Sequence, residues 1–229
     1  FARFGAFAFA NGWTPFTADG AVDLSDPAFV EAFDFYTGLV TEGVAVQPSD
    51  IGAGWPGDCL AQERAGVAIE GAWIIGFMRD AAPNQPYGST LLPKSPTTGE
   101  RGNFIFTVAW GVNADSPNRD AAVRVLEALT SAETQQFILE QGLAIPSRSA
   151  LADNPFFQED SREARGNLTV FEGASDGHVL GFQFGTVGTD YMGPLNNAAT
   201  AVMTGQASAA DALAQALVEI DALLQRAQR

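Results

Sequence analysis

NFIFTVAWGVNADSPNRDAAVRVLEALTSAETQQFILEQG, residues 103–142, changes its hydrophobic rhythm as it runs. Its first ten residues have the β-branched and aromatic content of a buried strand. Ser116-Pro117 then opens a helix carrying Val125, Leu126 and Leu129, and SAETQQFILEQG predicts another helix that stops at Gly142. A strand handing over to helices is the unit from which α/β folds are assembled.

Working outward, KSPTTGERG (94–102) is the most linker-like segment and predicts a boundary or exposed loop. YGSTLLP (87–93) reads as a short strand stopped by Pro93. In GVAIEGAWIIG (66–76) an apolar strand is expected from Val67 to Glu70, with a helix from Trp73 to about Asp80. DCLAQERA (58–65) is short and helix-like. In LSDPAFVEAFDFYTGLVTEG (24–43), Ser25 or Asp26 can cap a helix with Pro27 in its first turn, and Phe29, Phe33, Tyr36 and Val40 share a face until Gly43. The opening FARFGAFAFANGWTPF suits packed helix or strand, with a turn at Asn11-Gly12. At the other end, Ser208 and Asp211 form a capping box for a helix with Leu213, Leu217, Ile220 and Leu224 along one face. No internal repeat or low-complexity block interrupts the pattern, so the class is α/β or mixed with helix in excess.

The 229 residues are 46% hydrophobic, enough for a substantial core. Twelve basic against 27 acidic residues leave a net charge of −15, which repels nucleic acid and anionic lipid surfaces. The single cysteine, Cys59, allows no internal disulfide and is expected to be an inert buried thiol. No apolar run reaches the roughly 18 residues that cross a bilayer, so no membrane insertion is expected. Phe1 is preceded by neither an initiator Met nor a signal-like region, so processing, truncation or cloning is expected to have set that end.

GAGWPG matches G-x-G-x-x-G at Gly52, Gly54 and Gly57, and Glu70 stands where a dinucleotide fold keeps its ribose-binding acid. A nucleotide-dependent enzyme is therefore one alternative. Its context is poor, because no strand leads directly into the glycines and the following helix is short. With His178 the only histidine, histidine triads and zinc hydrolysis lack their parts, and no metal or cofactor is expected. A carboxylate-based glycosidase is a second alternative, since acid pairs assemble in space. NLT at Asn167 fits a glycosylation triplet but is assigned no role. Trp13, Trp55 and Trp73 sit beside Gly or Ala at element ends or in loops. Such an indole either packs in a core or leaves its face open to the C–H side of a sugar. Asp58, Glu70 and Asn103 would then meet the hydroxyls.

Three stretches carry a family resemblance: residues 31–77, running from EAFDFYTG to AIEGAWIIGF; residues 99–148, with SPN, LTS and IPSR in order; and residues 194–226, containing VMTGQASAADAL. Together they resemble the solute-binding proteins of sugar ABC importers, the maltose-binding-protein-like group. The resemblance implies a periplasmic-binding-protein-like α/β fold, helix-rich with a short mixed sheet. It implies that residues 1–98 and 160–229 build the C-terminal lobe and that 99–159 belong to the N-terminal lobe and hinge, with most of that lobe absent. It places Trp73 in an interlobe cleft as a stacking floor, Trp55 and Asp58 in a second wall, Thr107 where the chain crosses back, and Tyr191 at the start of a cleft-facing helix. Arg148 lines the cleft or pins the hinge, and Glu70 either meets ligand or braces the backbone. The implied function is binding a mono- or oligosaccharide without chemistry and delivering it to a membrane permease, in the periplasm or an equivalent extracytoplasmic space. For an incomplete lobe, impaired binding and a homodimer through the exposed surface are expected.

Overall fold

The aromatic N-terminal stretch folds as a helix, and its rings become the centre of a core. The computed structural model describes residues 1–18, 20–181 and 183–227. In chain order the helices are α1 (Gly5–Ala10), α2 (Pro27–Thr41), α3 (Pro56–Ala61), α4 (Trp73–Ala81), α5 (Arg119–Leu129), α6 (Ala132–Glu140), α7 (Arg162–Gly173), α8 (Met192–Met203) and α9 (Ala209–Ala227). The strands are β1 (Gly102–Ile105) and β2 (His178–Gly181). The chain divides into two compact units.

The first unit comprises Phe1–Gly54, Leu92–Phe106 and Gly173–Arg229. Its α2 starts where expected: Asp26 is the N-cap, its carboxylate accepts the Ala28 N–H at 2.8 Å, and Pro27 fills the first turn. Phe29 and Phe33 on its inner face are fully buried. They join Phe1, Phe4, Phe9, Trp13, Phe104 and Phe184 in one aromatic core. Phe1 alone lies 5.1 Å from the Phe4 ring and 5.3 Å from the Phe104 ring, both edge to face, the arrangement that aromatic quadrupoles favour. Each ring removed from water contributes about 1.5–3 kcal/mol. α8 packs on α9, whose Leu213 and Ile220 face this core as the periodicity predicted. Trp13 is core rather than site: it is 3% exposed, and its indole N–H donates to the Asp23 carbonyl at 2.9 Å.

β1 and β2 pair in parallel, with Gly102 opposite His178 and Ile105 opposite Gly181. Among the described residues these two strands form the only sheet. A Cβ on Gly102 would overlap the Ala6 carbonyl, so glycine there lets α1 lie directly on β1. The ion pair of Arg101 with Asp176, at 2.7 Å, ties together the chain leading into the two strands.

The second unit comprises Trp55–Leu91 and Thr107–Glu172. Its α6 begins at Ser131, whose hydroxyl accepts the Thr134 N–H. Leu139, Phe156, Phe157 and Ala164 form a small apolar centre. Arg79 donates to the Gln141 carbonyl at 2.6 Å and Arg162 to the Gln85 carbonyl at 2.8 Å, so long side chains knit the loops of this unit together. Burial works against the charge of Glu163, but hydrogen bonds from Arg162 and the main chain together with the charges of Arg162 and Arg79 outweigh it and hold the carboxyl below its ordinary value. Asn167 is wholly buried in α7. Cys59 is buried, as expected of a packed thiol.

Three strand expectations need correction. Residues 67–70 and 87–93 are irregular, and the 103–112 strand ends at Ile105. Far from being buried, Val67 is 82%, Val108 85% and Trp110 59% exposed. The physical reason is partnership: β propensity records a side chain's fit to a pleated, half-buried surface, and no described strand lies beside these residues to create one. The helix expected from Ser116-Pro117 starts at Arg119, and α5 has no buried residue. The compact units also partition the chain differently from lobe boundaries at 98 and 160, since 55–91 clusters with 107–172.

Candidate functional site

Glu70, Gly71 and Trp73 act as a local assembly at the start of α4. Ala72, the N-cap, makes no side-chain capping bond. Instead Glu70 Oε2 accepts the Trp73 indole N–H at 2.8 Å and the Gly71 N–H at 3.3 Å. A carboxylate at a helix N-terminus also meets the positive end of the helix dipole. A Cβ on Gly71 would overlap the Cζ3 and Cη2 atoms of Trp73, so the indole rests where an ordinary side chain would stand. The residue is nevertheless 42% exposed.

Trp55 repeats the device. It is the N-cap of α3 in extended backbone, and its carbonyl accepts the Asp58 N–H at 3.0 Å. Its half-buried ring occupies the space a Cβ on Gly57 would need. The edge of that ring meets Phe77, with centroids 4.8 Å apart and planes at 70°. Phe77 follows Trp73 by four positions on α4, which places the two on one helix face. The sequence reading missed Phe77, although its four-residue spacing from Trp73 was there to be read. Asp58 is half-buried in the first turn of α3.

The other expected site residues divide. Thr107 is exposed in the irregular chain beyond β1, within the second unit. Arg148, in the same unit, donates from Nε and Nη2 to the Thr130 carbonyl at 2.9 and 2.5 Å and so closes the C-terminus of α5. It also borders a cavity of about 170 Å³ with Pro146, Ser147, Leu151, Phe157 and Phe171. Asn103 and Tyr191 belong to the first unit, Asn103 half-buried and Tyr191 buried. The Asn103 amide donates to the Gly173 carbonyl at 2.8 Å and accepts the Phe104 N–H at 2.9 Å, bracing the start of β1. Tyr191 is 2% exposed, stacked on Phe184 at 4.1 Å, and burial pushes its phenol well above the ordinary range. It precedes α8 as expected, but as a core residue.

The glycine loop does not have the dinucleotide-binding context. A one-turn 3-10 helix, Pro48–Ile51, stands where a strand would be needed, and α3 has only six residues. Among the described residues no group of three or more His, Cys, Asp or Glu is placed to hold a metal ion. No described helix is long and apolar enough to cross a membrane.

A helix-rich chain with a small sheet matches what comparison with known proteins finds. Residues 1–164 match the family of bacterial extracellular solute-binding proteins, and the chain belongs to that family. A binding protein of Brucella abortus is 28% identical over 113 residues, an alignment covering 48% of this chain and 27% of that protein. The tagatose-bound ABC transporter solute-binding protein of Thermotoga lettingae superposes with a TM-score of 0.76 at 20% identity, over 97% of this chain and 56% of that one. Maltose-bound MalE3 of T. maritima gives 0.73 at 20% identity, over 97% and 57%. The fold is therefore that of periplasmic binding proteins, and the chain spans little more than half the length of these solved relatives.

Proposed function

We propose that this chain carries one wall of a sugar-binding site, and that the protein it represents delivers a mono- or oligosaccharide to an ABC importer permease outside the cytoplasmic membrane. The observation that carries the reading is Trp73, 42% exposed yet tethered through its indole to Glu70 at 2.8 Å. A fixed, accessible indole stacks on the C–H face of a pyranose, while neighbouring carboxylates such as Asp58 take hydroxyls. Such binding needs no catalysis. A neutral sugar is also indifferent to the charge of −15 that repels polyanions. The sugar ligands of the two solved relatives support this class of ligand.

In this reading residues 1–98 and 160–229 represent the C-terminal lobe and 99–159 a piece of the N-terminal lobe. The exposure of Val67, Val108 and Trp110 then marks surface that further parts of the fold cover. Binding by the 229-residue chain is correspondingly weak. The test is intrinsic tryptophan fluorescence titrated with glucose, tagatose, maltose and maltotetraose, alongside Trp73→Ala. At least one sugar should shift the emission, and the substitution should weaken that sugar by about tenfold or more. Equal affinity of the two proteins would remove Trp73 from the site, and silence across the panel would remove sugar binding by this chain.

A further inference from the structure

Glu70 has two readings in a sugar site: it touches the ligand, or it sets the indole that does. The geometry points to the second, and we propose that Glu70 and Gly71 are positioning residues that lock Trp73 in its stacking orientation. This rests on the reading of Trp73 as a sugar platform. The indole has one polar atom, and its N–H is already donated to Glu70 Oε2 at 2.8 Å. The same oxygen accepts the Gly71 N–H at 3.3 Å, so ring and main chain are clamped to one carboxylate. Gly71 supplies the space in which the benzene portion of the indole lies. The orientation of the ring is thereby fixed before ligand arrives, which lowers the ordering cost of binding.

A consequence follows for specificity. With its N–H committed, Trp73 offers ligand only its π surface, so this position selects for a flat C–H face and is blind to which hydroxyl stands near the pyrrole edge. Ligands that differ only in a hydroxyl at that edge bind this position alike.

The experiment uses the whole 229-residue chain, ¹⁵N-labelled, with the Trp73 indole N–H resonance assigned by Trp73→Phe. In Glu70→Ala that resonance should move and its exchange with solvent should speed by about tenfold or more, because a hydrogen bond to a charged acceptor is lost. Glu70→Gln keeps an acceptor oxygen and should restore most of the protection. The other three indole resonances and the thermal midpoint report whether each variant folds. Titrated with maltose, Glu70→Ala should lose about tenfold in affinity and Glu70→Gln less than about threefold. An unmoved Trp73 resonance in Glu70→Ala overturns the lock. So does a Gln variant with the indole in place but with maltose affinity as poor as the Ala variant, since the charge would then be touching sugar directly. If the resonance responds as stated and none of glucose, tagatose, maltose and maltotetraose perturbs Trp73 in any of the proteins, the lock stands and the sugar reading falls.

Discussion

Gly57 and Gly71 stand where indole rings pass too near the main chain for a Cβ. At Gly57 the consequence is measurable apart from any ligand. A methyl group there forces Trp55 off its contact with Phe77, 4.8 Å away, and overpacking of this kind costs about 1–3 kcal/mol. Gly57→Ala should therefore lower the urea midpoint of the second unit and red-shift tryptophan emission as Trp55 gains water. A variant with unchanged midpoint and emission would show that the ring has room to spare. The sequence made Trp55 and Trp73 visible because each is an indole at an element end beside small residues. The same pattern marked Trp13, for which core packing is the alternative that holds, and Tyr191 was placed by the family resemblance; the first unit seals both into its core. Position along the chain tells where a ring starts, while its burial depends on residues more than a hundred positions away, such as those that bring Phe1 against Tyr191 at 5.4 Å. Asn103 was legible as polar, but its use by the Gly173 carbonyl was not.

Helices were the readable elements, because their hydrogen bonds and caps are local. The closing helix shows this most fully: Ser208 Oγ accepts the Asp211 N–H at 3.2 Å, and its hydroxyl donates to the Asp211 carboxylate at 2.6 Å. The first contact satisfies a helix-start donor that would otherwise face only water, and the second holds the hydroxyl in place. Ser208→Ala should destabilise the first unit by about 1 kcal/mol, and Ser208→Asp should recover most of it by capping in the same place. The urea midpoint followed by far-UV circular dichroism checks this, and equal midpoints for all three proteins would show that the cap contributes nothing. Strands were the unreadable elements for the complementary reason. FIFTVAW has the composition of a core strand, yet only its first residues find a ladder, where Phe104 stands opposite Leu180. Beyond Ile105 the same residue types lie in irregular chain, because a strand is a property of two segments and the second is not written in the first.

At the scale of the molecule, the first unit is organised around the Phe1 ring. Phe1 is 5% exposed, packs edge to face on Phe4, Phe104 and Tyr191, and donates its terminal amine to Asn196 Oδ1. Burial, with a smaller push from the Arg3 charge, lowers that amine from 8.0 to about 5. The unfolded chain therefore holds the proton between pH 8 and 5 while the folded chain does not, so the unfolded state binds more protons and stability rises with pH across that window. The stability is whole above pH 8 and is lost as pH falls toward about 5. The span from 8.0 to about 5 corresponds to about 4 kcal/mol, large beside the 5–15 kcal/mol that holds a typical domain together. Two measurements on the 229-residue chain check it: urea stability of the first unit at intervals from pH 8 to pH 5, and the titration of a ¹⁵N-labelled Phe1 amine by NMR. The expected outcome is a steady loss of stability on acidification with the folded amine titrating near 5; a flat profile with the amine titrating near 8 would place Phe1 at the surface and dissolve the core described around it.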